Sequence, residues 1–307
     1  MKVVVTTKDF CEEAKHYLES EGFEVVLRNR LGIGAGAPDD VLYPVVEDAN
    51  AIIAGTETYR LELLTRLSNL KLISRNGIGY DAINLDALHK EGIGLTRTKG
   101  FVEGVVAEQV MAYILYFARR VDLQSADMHD HSWNSRLMPG AKNRTLGLVG
   151  FGGIGTEVAK RAVPFGMKVI YFCRHPNPAD DAAYGVQSVS MEELLKESDY
   201  VVAAVPLTDQ TFHLFNEECI AQMKAGSVLI NIARGPVVDE EALAQALASG
   251  HLGGCAVDVF PKEPCTDSVL TRYSNALLTP HSATSTAENS KATNFAAANN
   301  LVNYLKK

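Results

Sequence analysis

The sequence has few cysteines and no paired cysteine motif. Five cysteines are scattered over 307 residues without a CxxC or CxxH pattern, at positions 11, 173, 219, 255 and 265. An odd, dispersed set in a chain of this length indicates reduced thiols rather than a disulfide framework. We therefore expect the protein in the reducing environment of the cytoplasm.

Long apolar runs and basic runs are also missing. Nowhere do about 18 uncharged apolar residues follow one another, and no apolar signal core follows Met1. The chain carries 29 basic and 37 acidic residues, a formal net charge of −8, without the Lys/Arg stripe that nucleic-acid binders use. These absences argue against a membrane span, an export signal and a nucleic-acid partner.

Two series of short apolar segments alternate with amphipathic stretches. Five candidate strands precede residue 99, and six more follow residue 144, the count of a full doubly wound sheet. Between them, residues 102–121 are too long and too uniformly apolar for a strand and predict a buried helix. The glycine-rich stretch at residues 32–40 predicts a surface loop. Such alternation favours two α/β domains with parallel sheets.

A glycine motif opens the second series. Gly150, Gly152 and Gly155 fit GxGxxG, and the motif lies between an apolar strand segment and a helical stretch, the context that a dinucleotide-binding turn needs. Gly150 would permit the tight turn, Gly152 the approach of a pyrophosphate, and Gly155 close packing of helix on strand. The amides of Gly153 and Ile154 would bind the phosphates. An ordinary tight βα turn is the alternative.

The carboxylate that usually binds the adenosine ribose is missing. Its position, at the end of the next strand, is Cys173, followed by Arg174 and His175. A neutral residue beside an arginine suits a 2′-phosphate, because Asp would repel it and a guanidinium can pair with it. NADP is therefore favoured over NAD, unless Arg174 is only a solvated loop residue.

Three polar residues follow successive predicted strands near the end of the chain. Arg234, Glu263 and His281 can converge at one sheet edge, although each alone could be an ordinary loop residue. Reduction of a 2-oxo acid needs a carboxylate anchor, a proton donor and a group that tunes the donor. Arg234, His281 and Glu263 match these roles in that order. This chemistry requires no metal, and we interpret the HxH pair His129 and His131 as solvated loop.

The sequence resembles the D-isomer-specific 2-hydroxyacid dehydrogenase family over nearly its whole length. The family places its catalytic Arg, Glu and His on Arg234, Glu263 and His281. The resemblance rests on RNGIGYDAIN (75–84), VVAEQ (105–109), TLGLVGFGGIG (145–155), VPLTDQT (205–211), NIARGPVVDEEAL (231–243), GGCAVDVFPKEP (253–264) and LTPHSA (278–283).

The resemblance implies a domain organisation and further contacts. It implies two doubly wound parallel-sheet domains, with a Rossmann cofactor domain (99–282) inserted into a flavodoxin-like substrate domain (1–98 plus 283–307) onto which the last helix packs. Members are usually homodimers joined through the cofactor domain. The resemblance implies that Ile78 and Gly79 bind the substrate carboxylate and that Arg234 and His281 also contact the substrate. It implies that the cofactor contacts Thr208, Ala233 and Asp258. The alternative for Asp258 is that it only holds a turn.

One pocket loop departs from the phosphoglycerate-binding pattern. Where bacterial phosphoglycerate dehydrogenases of this family carry arginines, this chain has Gly55 and Glu57. A glutamate repels a phosphate, so such a substrate is disfavoured unless Arg60 turns inward. In some relatives the segment around Arg136 reaches the active site of the partner subunit. An arginine there would favour a substrate with an anionic side chain.

The sequence thus predicts an NAD(P)H-dependent oxidoreductase. The favoured activity is reduction of a small 2-oxo acid to the D-2-hydroxy acid, of the glyoxylate/hydroxypyruvate type, with NADPH. The alternative is NAD-linked oxidation of a 2-hydroxy acid, like that of D-3-phosphoglycerate dehydrogenase. A non-catalytic dinucleotide-sensing scaffold is a distant third, because all three catalytic positions are filled.

Overall fold

The computed structural model describes residues 1–29 and 36–306. The glycine-rich stretch at 32–40, predicted as a surface loop, lies partly outside these residues. The chain forms two compact units. The first contains Met1–Val102, Lys262–Pro264 and Thr284–Lys307, and the second contains Glu103–Pro261 and Cys265–Ala283.

The first unit has a five-stranded parallel sheet in the order β2-β1-β3-β4-β5. Its register is set by pairs such as Val4 with Ile52. All five predicted strands are present, and their order is that of a flavodoxin-like doubly wound sheet. The strands are β1 (Lys2–Val5), β2 (Glu24–Leu27), β3 (Ala51–Ala54), β4 (Leu72–Arg75) and β5 (Gly94–Arg97).

Helices cover both faces of this sheet. Successive strand residues point to opposite faces, so Val3 and Val5 pack with Ala297 and Leu301 of the last helix, whereas Val4 faces another core cluster. The last helix therefore packs on the N-terminal unit. The helices are α1 (Glu12–Ser20), α2 (Asp39–Val46), α3 (Leu61–Leu64), α4 (Leu85–Glu91) and the final α12 (Ala287–Leu305).

The second unit has a seven-stranded parallel sheet in the order β12-β11-β10-β9-β6-β7-β8. The strand order reverses between β6 and β9, the topological switch point of a Rossmann sheet. The strands are β6 (Thr145–Val149), β7 (Lys168–Phe172), β8 (Gln187–Ser188), β9 (Tyr200–Ala203), β10 (Val228–Asn231), β11 (Gly254–Val257) and β12 (Ala276–Leu278).

The prediction of six strands in this unit misses β8. This strand has only two residues, which pair with Ile170 and Tyr171 of β7, and two residues are too few to give an apolar pattern. The predicted fold class, two doubly wound parallel-sheet domains, is confirmed.

The predicted buried helix at 102–121 is present as α5 and is two residues shorter at its C-terminal end. It ends before Arg120, whose φ is +40°. Helix α7 places Gly155, Val158, Ala159 and Ala162 on one buried face, a spacing of three and four residues. The helices are α5 (Glu103–Arg119), α6 (Val121–His129), α7 (Gly153–Ala162), α8 (Pro178–Tyr184), α9 (Met191–Glu197), α10 (Glu217–Ala221) and α11 (Glu240–Ala248), with 3-10 turns at Val163–Phe165, Gly235–Val237 and Val269–Arg272.

No helix within the described ranges is both long enough and apolar enough to cross a bilayer. All five cysteines are free thiols. His129 and His131 are both exposed; His129, however, is the last residue of α6 rather than part of a loop.

Candidate active site

The glycine motif forms the turn between β6 and α7. Gly150 has a φ of +104°, and a Cβ there would lie 2.4 Å from the carbonyl oxygen of Ala204. A Cβ at Gly155 would lie 2.5 Å from the carbonyl oxygen of Gly150. Any side chain at either position would displace backbone, so the tight turn and the close approach of helix to strand both require glycine.

The middle of this loop is open. Gly152 is exposed, and a Cβ there would meet no protein atom within 4 Å. The first amides of α7, including those of Gly153 and Ile154, have no partner within the helix by helix geometry, and the first turn carries no acidic side chain. Free amides at the positive end of a helix dipole stabilise an anion. The loop therefore fits the pyrophosphate of a dinucleotide.

The end of β7 lies beside this loop, because Phe172 pairs with Val149 at the end of β6. Cys173 is partly buried against the core, whereas Arg174 is exposed. His175 is exposed too. The strand thus ends in a neutral residue followed by an unburied guanidinium.

Two more predicted cofactor residues lie at the ends of neighbouring strands. Thr208 is exposed in the loop after β9, where its amide donates to Oγ1 of Thr211 at 2.8 Å. Ala233 is buried just after β10, and its amide donates to Oδ1 of Asn231. Both lie at the carboxyl edge of the seven-stranded sheet, where ligands of such sheets bind.

Arg234 follows β10 in a tightly fixed turn. Its carbonyl accepts from Nδ2 of Asn231 at 3.0 Å, and its Nη1 donates to the carbonyl of Ala233 at 2.7 Å. A Cβ at Gly235 would lie 2.0 Å from the carbonyl carbon of Phe260. The side chain of Arg234 is half-buried. The buried Asn231 is a positioning residue that the sequence analysis did not select.

His281 follows β12 in a turn that Asp258 holds. The amide of His281 donates to the carbonyl of Asp258 at 2.8 Å, and the buried Asp258 carboxylate accepts from the amides of Ser282 at 2.8 Å and Ala283 at 3.0 Å. The hydroxyl of Thr279 also donates to this carboxylate at 2.6 Å. These contacts support the interpretation that Asp258 holds a turn. A contact between Asp258 and the cofactor stays a prediction.

Arg234, Asp258 and His281 therefore lie at one sheet edge. Asn231 pairs with Val257, and Val257 pairs with Leu278, so β10, β11 and β12 end level with one another. Since neighbouring strands are about 4.8 Å apart, the ends of β10 and β12 are separated by about 10 Å. This spacing is suited to a substrate of a few carbon atoms held between an arginine and a histidine.

Glu263 lies in the loop after β11. It is half-buried and forms a cis peptide bond with Pro264. Its segment, Lys262–Pro264, belongs to the first compact unit, whereas Arg234 and His281 belong to the second.

In the first unit, Ile78 and Gly79 follow β4 at the carboxyl edge of the five-stranded sheet and are half-buried. Asn76, which precedes them, fixes this loop. Its backbone amide donates to the carbonyl of Ala54 at 3.0 Å, and its side-chain Nδ2 donates to Oγ1 of Thr7 at 3.0 Å. The carboxylate-binding role of Ile78 and Gly79 stays a prediction.

Glu57 and Arg60 follow β3 at the same edge. Glu57 is 2% exposed, its Oε2 has no hydrogen-bond partner among the described residues, and burial raises the pKa of its carboxyl group. Nη1 of Arg60 pairs with Asp39 at 2.7 Å and donates to the carbonyl of Ala37. Arg60 is thus engaged by a carboxylate of its own chain.

Arg136 is likewise paired within its own chain. Its guanidinium forms a bidentate ion pair with Asp127, in which Nε donates to Oδ2 at 2.9 Å and Nη2 donates to Oδ1 at 3.0 Å. A role in a partner's site stays a prediction.

Comparison with known proteins assigns the chain to a family. The family model described as D-isomer specific 2-hydroxyacid dehydrogenase, NAD binding domain, matches residues 111–283.

Curated relatives match most of the chain. A glyoxylate reductase of Thermococcus litoralis is 37% identical over 88% of this chain and 84% of its own length. A hydroxypyruvate reductase of Thermotoga maritima is 37% identical over 81% of this chain and 82% of its own length. A D-3-phosphoglycerate dehydrogenase of Mycobacterium bovis is 34% identical over 82% of this chain and 48% of its own length.

Solved structures share the whole fold. The TT0316 protein of Thermus thermophilus superposes with a TM-score of 0.89 at 36% identity, over 100% of this chain and 97% of its own. A D-lactate dehydrogenase of Aquifex aeolicus, complexed with NAD and lactic acid, superposes with a TM-score of 0.86 at 27% identity, over 100% and 96%. The chain belongs to the D-isomer-specific 2-hydroxyacid dehydrogenase family.

Proposed function

We propose that this NAD(P)-dependent 2-hydroxyacid oxidoreductase reduces a small 2-oxo acid to its D-2-hydroxy acid, with NADPH preferred over NADH. The observation that carries the proposal is the placement of Arg234 and His281 beyond level strand ends, on the same sheet edge as the glycine loop. Relatives named glyoxylate reductase and hydroxypyruvate reductase support this direction and substrate class.

Each proposed catalytic residue has a distinct task. Arg234 pairs with the substrate carboxylate and polarises the neighbouring carbonyl, because a guanidinium binds carboxylates in a planar, charge-assisted geometry. His281 acts as the general acid and gives its proton to the carbonyl oxygen as the alkoxide forms. Glu263 is the proposed third catalytic residue, at the position where the family carries its catalytic glutamate. The nicotinamide cofactor supplies the hydride when bound.

The preference for NADPH rests on the end of β7. Cys173 carries no charge that would repel a 2′-phosphate, and the exposed Arg174 can pair with one. An aspartate at position 173 would instead favour the free ribose hydroxyls of NAD.

The substrate class is a short 2-oxo acid without a phosphate. Glu57 is buried at the carboxyl edge of the first unit's sheet, and Arg60 is occupied by Asp39. Neither residue offers the free positive charge that a phosphate needs. The Mycobacterium relative nevertheless makes NAD-linked oxidation of 3-phosphoglycerate the second candidate.

Steady-state kinetics test the proposal directly. Oxidation of NADPH and of NADH is followed in parallel against glyoxylate, hydroxypyruvate, pyruvate, phenylpyruvate and oxaloacetate, and reduction of NAD is followed with 3-phosphoglycerate. We expect turnover of a small unphosphorylated oxo acid with NADPH, lost in His281→Gln while dinucleotide binding persists. Faster turnover of 3-phosphoglycerate would favour the second candidate, and no turnover at all would favour the scaffold.

We also infer a homodimer in the cytoplasm. Trp133 is 86% exposed and Leu137 is fully exposed in the segment after α6. Large apolar side chains exposed close together are typical of an interface. Sedimentation of the wild type and of Leu137→Ser tests this: we expect a dimer that the substitution weakens. The free cysteines support a reducing compartment.

A further inference from the structure

Tyr113 brings a hydroxyl group into an otherwise apolar stretch of α5. The side chain is 2% exposed and belongs to the core cluster between α5 and the seven-stranded sheet. Its hydroxyl lies 2.5 Å from Oγ1 of Thr279, which in turn donates to Oδ1 of Asp258 at 2.6 Å. A buried hydroxyl with such short contacts has a defined orientation.

The direction of the protons follows from the groups present. The Asp258 carboxylate faces two backbone amides, which can only donate, so it acts as an acceptor. The single Thr279 proton therefore goes to Asp258, and the Thr279 oxygen accepts from Tyr113. Burial raises the pKa of Tyr113, which keeps its hydroxyl protonated. This hydrogen-bond relay runs from Tyr113 through Thr279 to Asp258, and the Tyr113 hydroxyl also donates directly to Oδ1 of Asp258 over a longer distance of 3.5 Å.

This relay ends at the turn that carries His281. The φ of His281 is +50°, in the left-handed region, which costs a residue with a Cβ about 1 kcal/mol. The turn keeps this conformation through bonds to Asp258: the His281 amide donates to its carbonyl, and the next two amides donate to its carboxylate. The Asp258 carboxylate therefore holds the two residues that follow His281 and, with them, the turn in which His281 lies.

We propose that Tyr113 is a positioning residue for His281, acting through Thr279 and Asp258. This inference rests on the proposed function, in which His281 transfers the proton. Without the Tyr113 hydroxyl, the half-buried Thr279 oxygen loses this donor, and the orientation of Thr279 against Asp258 is less well fixed. Proton transfer is sensitive to such a shift, whereas binding of the dinucleotide at the glycine loop is not.

Four variants isolate the relay. Tyr113→Phe removes only the hydroxyl, Thr279→Val removes the link at nearly constant volume, and Thr279→Ser keeps the link. Tyr200→Phe is the matched control: Tyr200 is 4% exposed in the same core cluster but begins β9, at the amino edge of the sheet.

We expect Tyr113→Phe and Thr279→Val each to lower kcat about tenfold with the KM for NADPH changed less than twofold. The double variant should lose no more than the larger single loss, because both act on one relay. Thr279→Ser and Tyr200→Phe should keep wild-type kcat. The proposal would be overturned if the fold-losses in kcat of the two single variants multiplied in the double variant. It would also be overturned if the kcat of Tyr113→Phe stayed within twofold of wild type.

A second measurement does not depend on turnover. In protein labelled with 13C and 15N at histidine, the His281 imidazole signal is assigned with His281→Gln. We expect Tyr113→Phe and Thr279→Val to move or broaden this signal in the same way, and Tyr200→Phe to leave it unchanged. An unchanged His281 signal in Tyr113→Phe overturns the relay. Absence of oxo-acid turnover in the wild type overturns the proposed function instead.

Discussion

Gly150 contacts Ala204 so closely that a Cβ on the glycine would lie 2.4 Å from the alanine carbonyl oxygen. The two residues directly follow the neighbouring strands β6 and β9 at the switch point of the seven-stranded sheet, and the Ala204 amide donates to the carbonyl of Val149. At this point the two segments therefore meet backbone against backbone, without room for a side chain on Gly150.

Substitution of Gly150 should destabilise the fold. In Gly150→Ala the methyl group meets backbone that cannot rotate away, and the φ of +104° is unfavourable for alanine. We expect the free energy of unfolding to fall by about 3 kcal/mol, measured by urea denaturation. A loss below about 0.5 kcal/mol would show that the turn relaxes and that the contact does not constrain it.

Gly152→Ala is the matched substitution with the opposite expectation. A Cβ at Gly152 meets open space, so the free energy of unfolding should change by less than about 1 kcal/mol. The added methyl should instead obstruct a pyrophosphate that approaches the backbone, and we expect at least a tenfold rise in the Kd for NADPH. Titration calorimetry measures it, and an unchanged Kd would place the pyrophosphate elsewhere.

Arg174→Ala should change the choice of cofactor. Loss of a charge-assisted hydrogen bond of about 1.5–3 kcal/mol raises the KM for NADPH roughly tenfold or more, whereas the KM for NADH should change less than twofold. Arg272→Ala, which removes an exposed guanidinium elsewhere in the second unit, is the control. Equal effects of Arg174→Ala on both cofactors would contradict recognition of a 2′-phosphate.

Glu57 should make stability depend on pH. Burial raises the pKa of Glu57 in the folded protein above the ordinary value of 4.5, so the folded state holds this proton more tightly than the unfolded state does. Its stabilising contribution is complete below pH 4.5 and is lost as the pH rises through the folded pKa.

Glu57→Gln should remove this dependence, because an amide does not ionise. We expect the variant to gain stability relative to wild type as the pH rises from 5 to 8, measured by urea unfolding. Glu91→Gln, at an exposed position, provides the control and should show no such trend. A constant difference between Glu57→Gln and wild type over this range would mean that Glu57 remains charged in the folded state.

Local patterns were sufficient to predict most of the fold. The apolar segments that became β1 to β5 are each bounded by turn residues, and the glycine motif lies in the strand-turn-helix context that it requires. Strand β8 escaped prediction because two residues carry no periodicity. Its two pairs with β7 form only in the assembled sheet.

The supporting residues of the site could not be predicted in the same way. Tyr113 lies in an apolar helix, so its sequence context indicates only a core position. Its partner Thr279 is 166 residues away in the chain. The burial of Glu57 depends likewise on strands and helices that meet only in the folded unit. Hydrogen bonds between distant segments leave no local pattern, whereas Arg234 and His281 follow strands that the sequence reveals.

The contribution of α12 to the first unit has a consequence for biosynthesis. Ala297, Ala298, Leu301 and Val302 of this helix complete one core cluster of the five-stranded sheet, and Oγ of Ser74 donates to the carbonyl of Ala297 at 2.8 Å. On the ribosome, every residue of the seven-stranded unit emerges before this helix does. The N-terminal segment, although synthesised first, therefore keeps part of one sheet face uncovered until α12 emerges, with apolar surface exposed in the meantime.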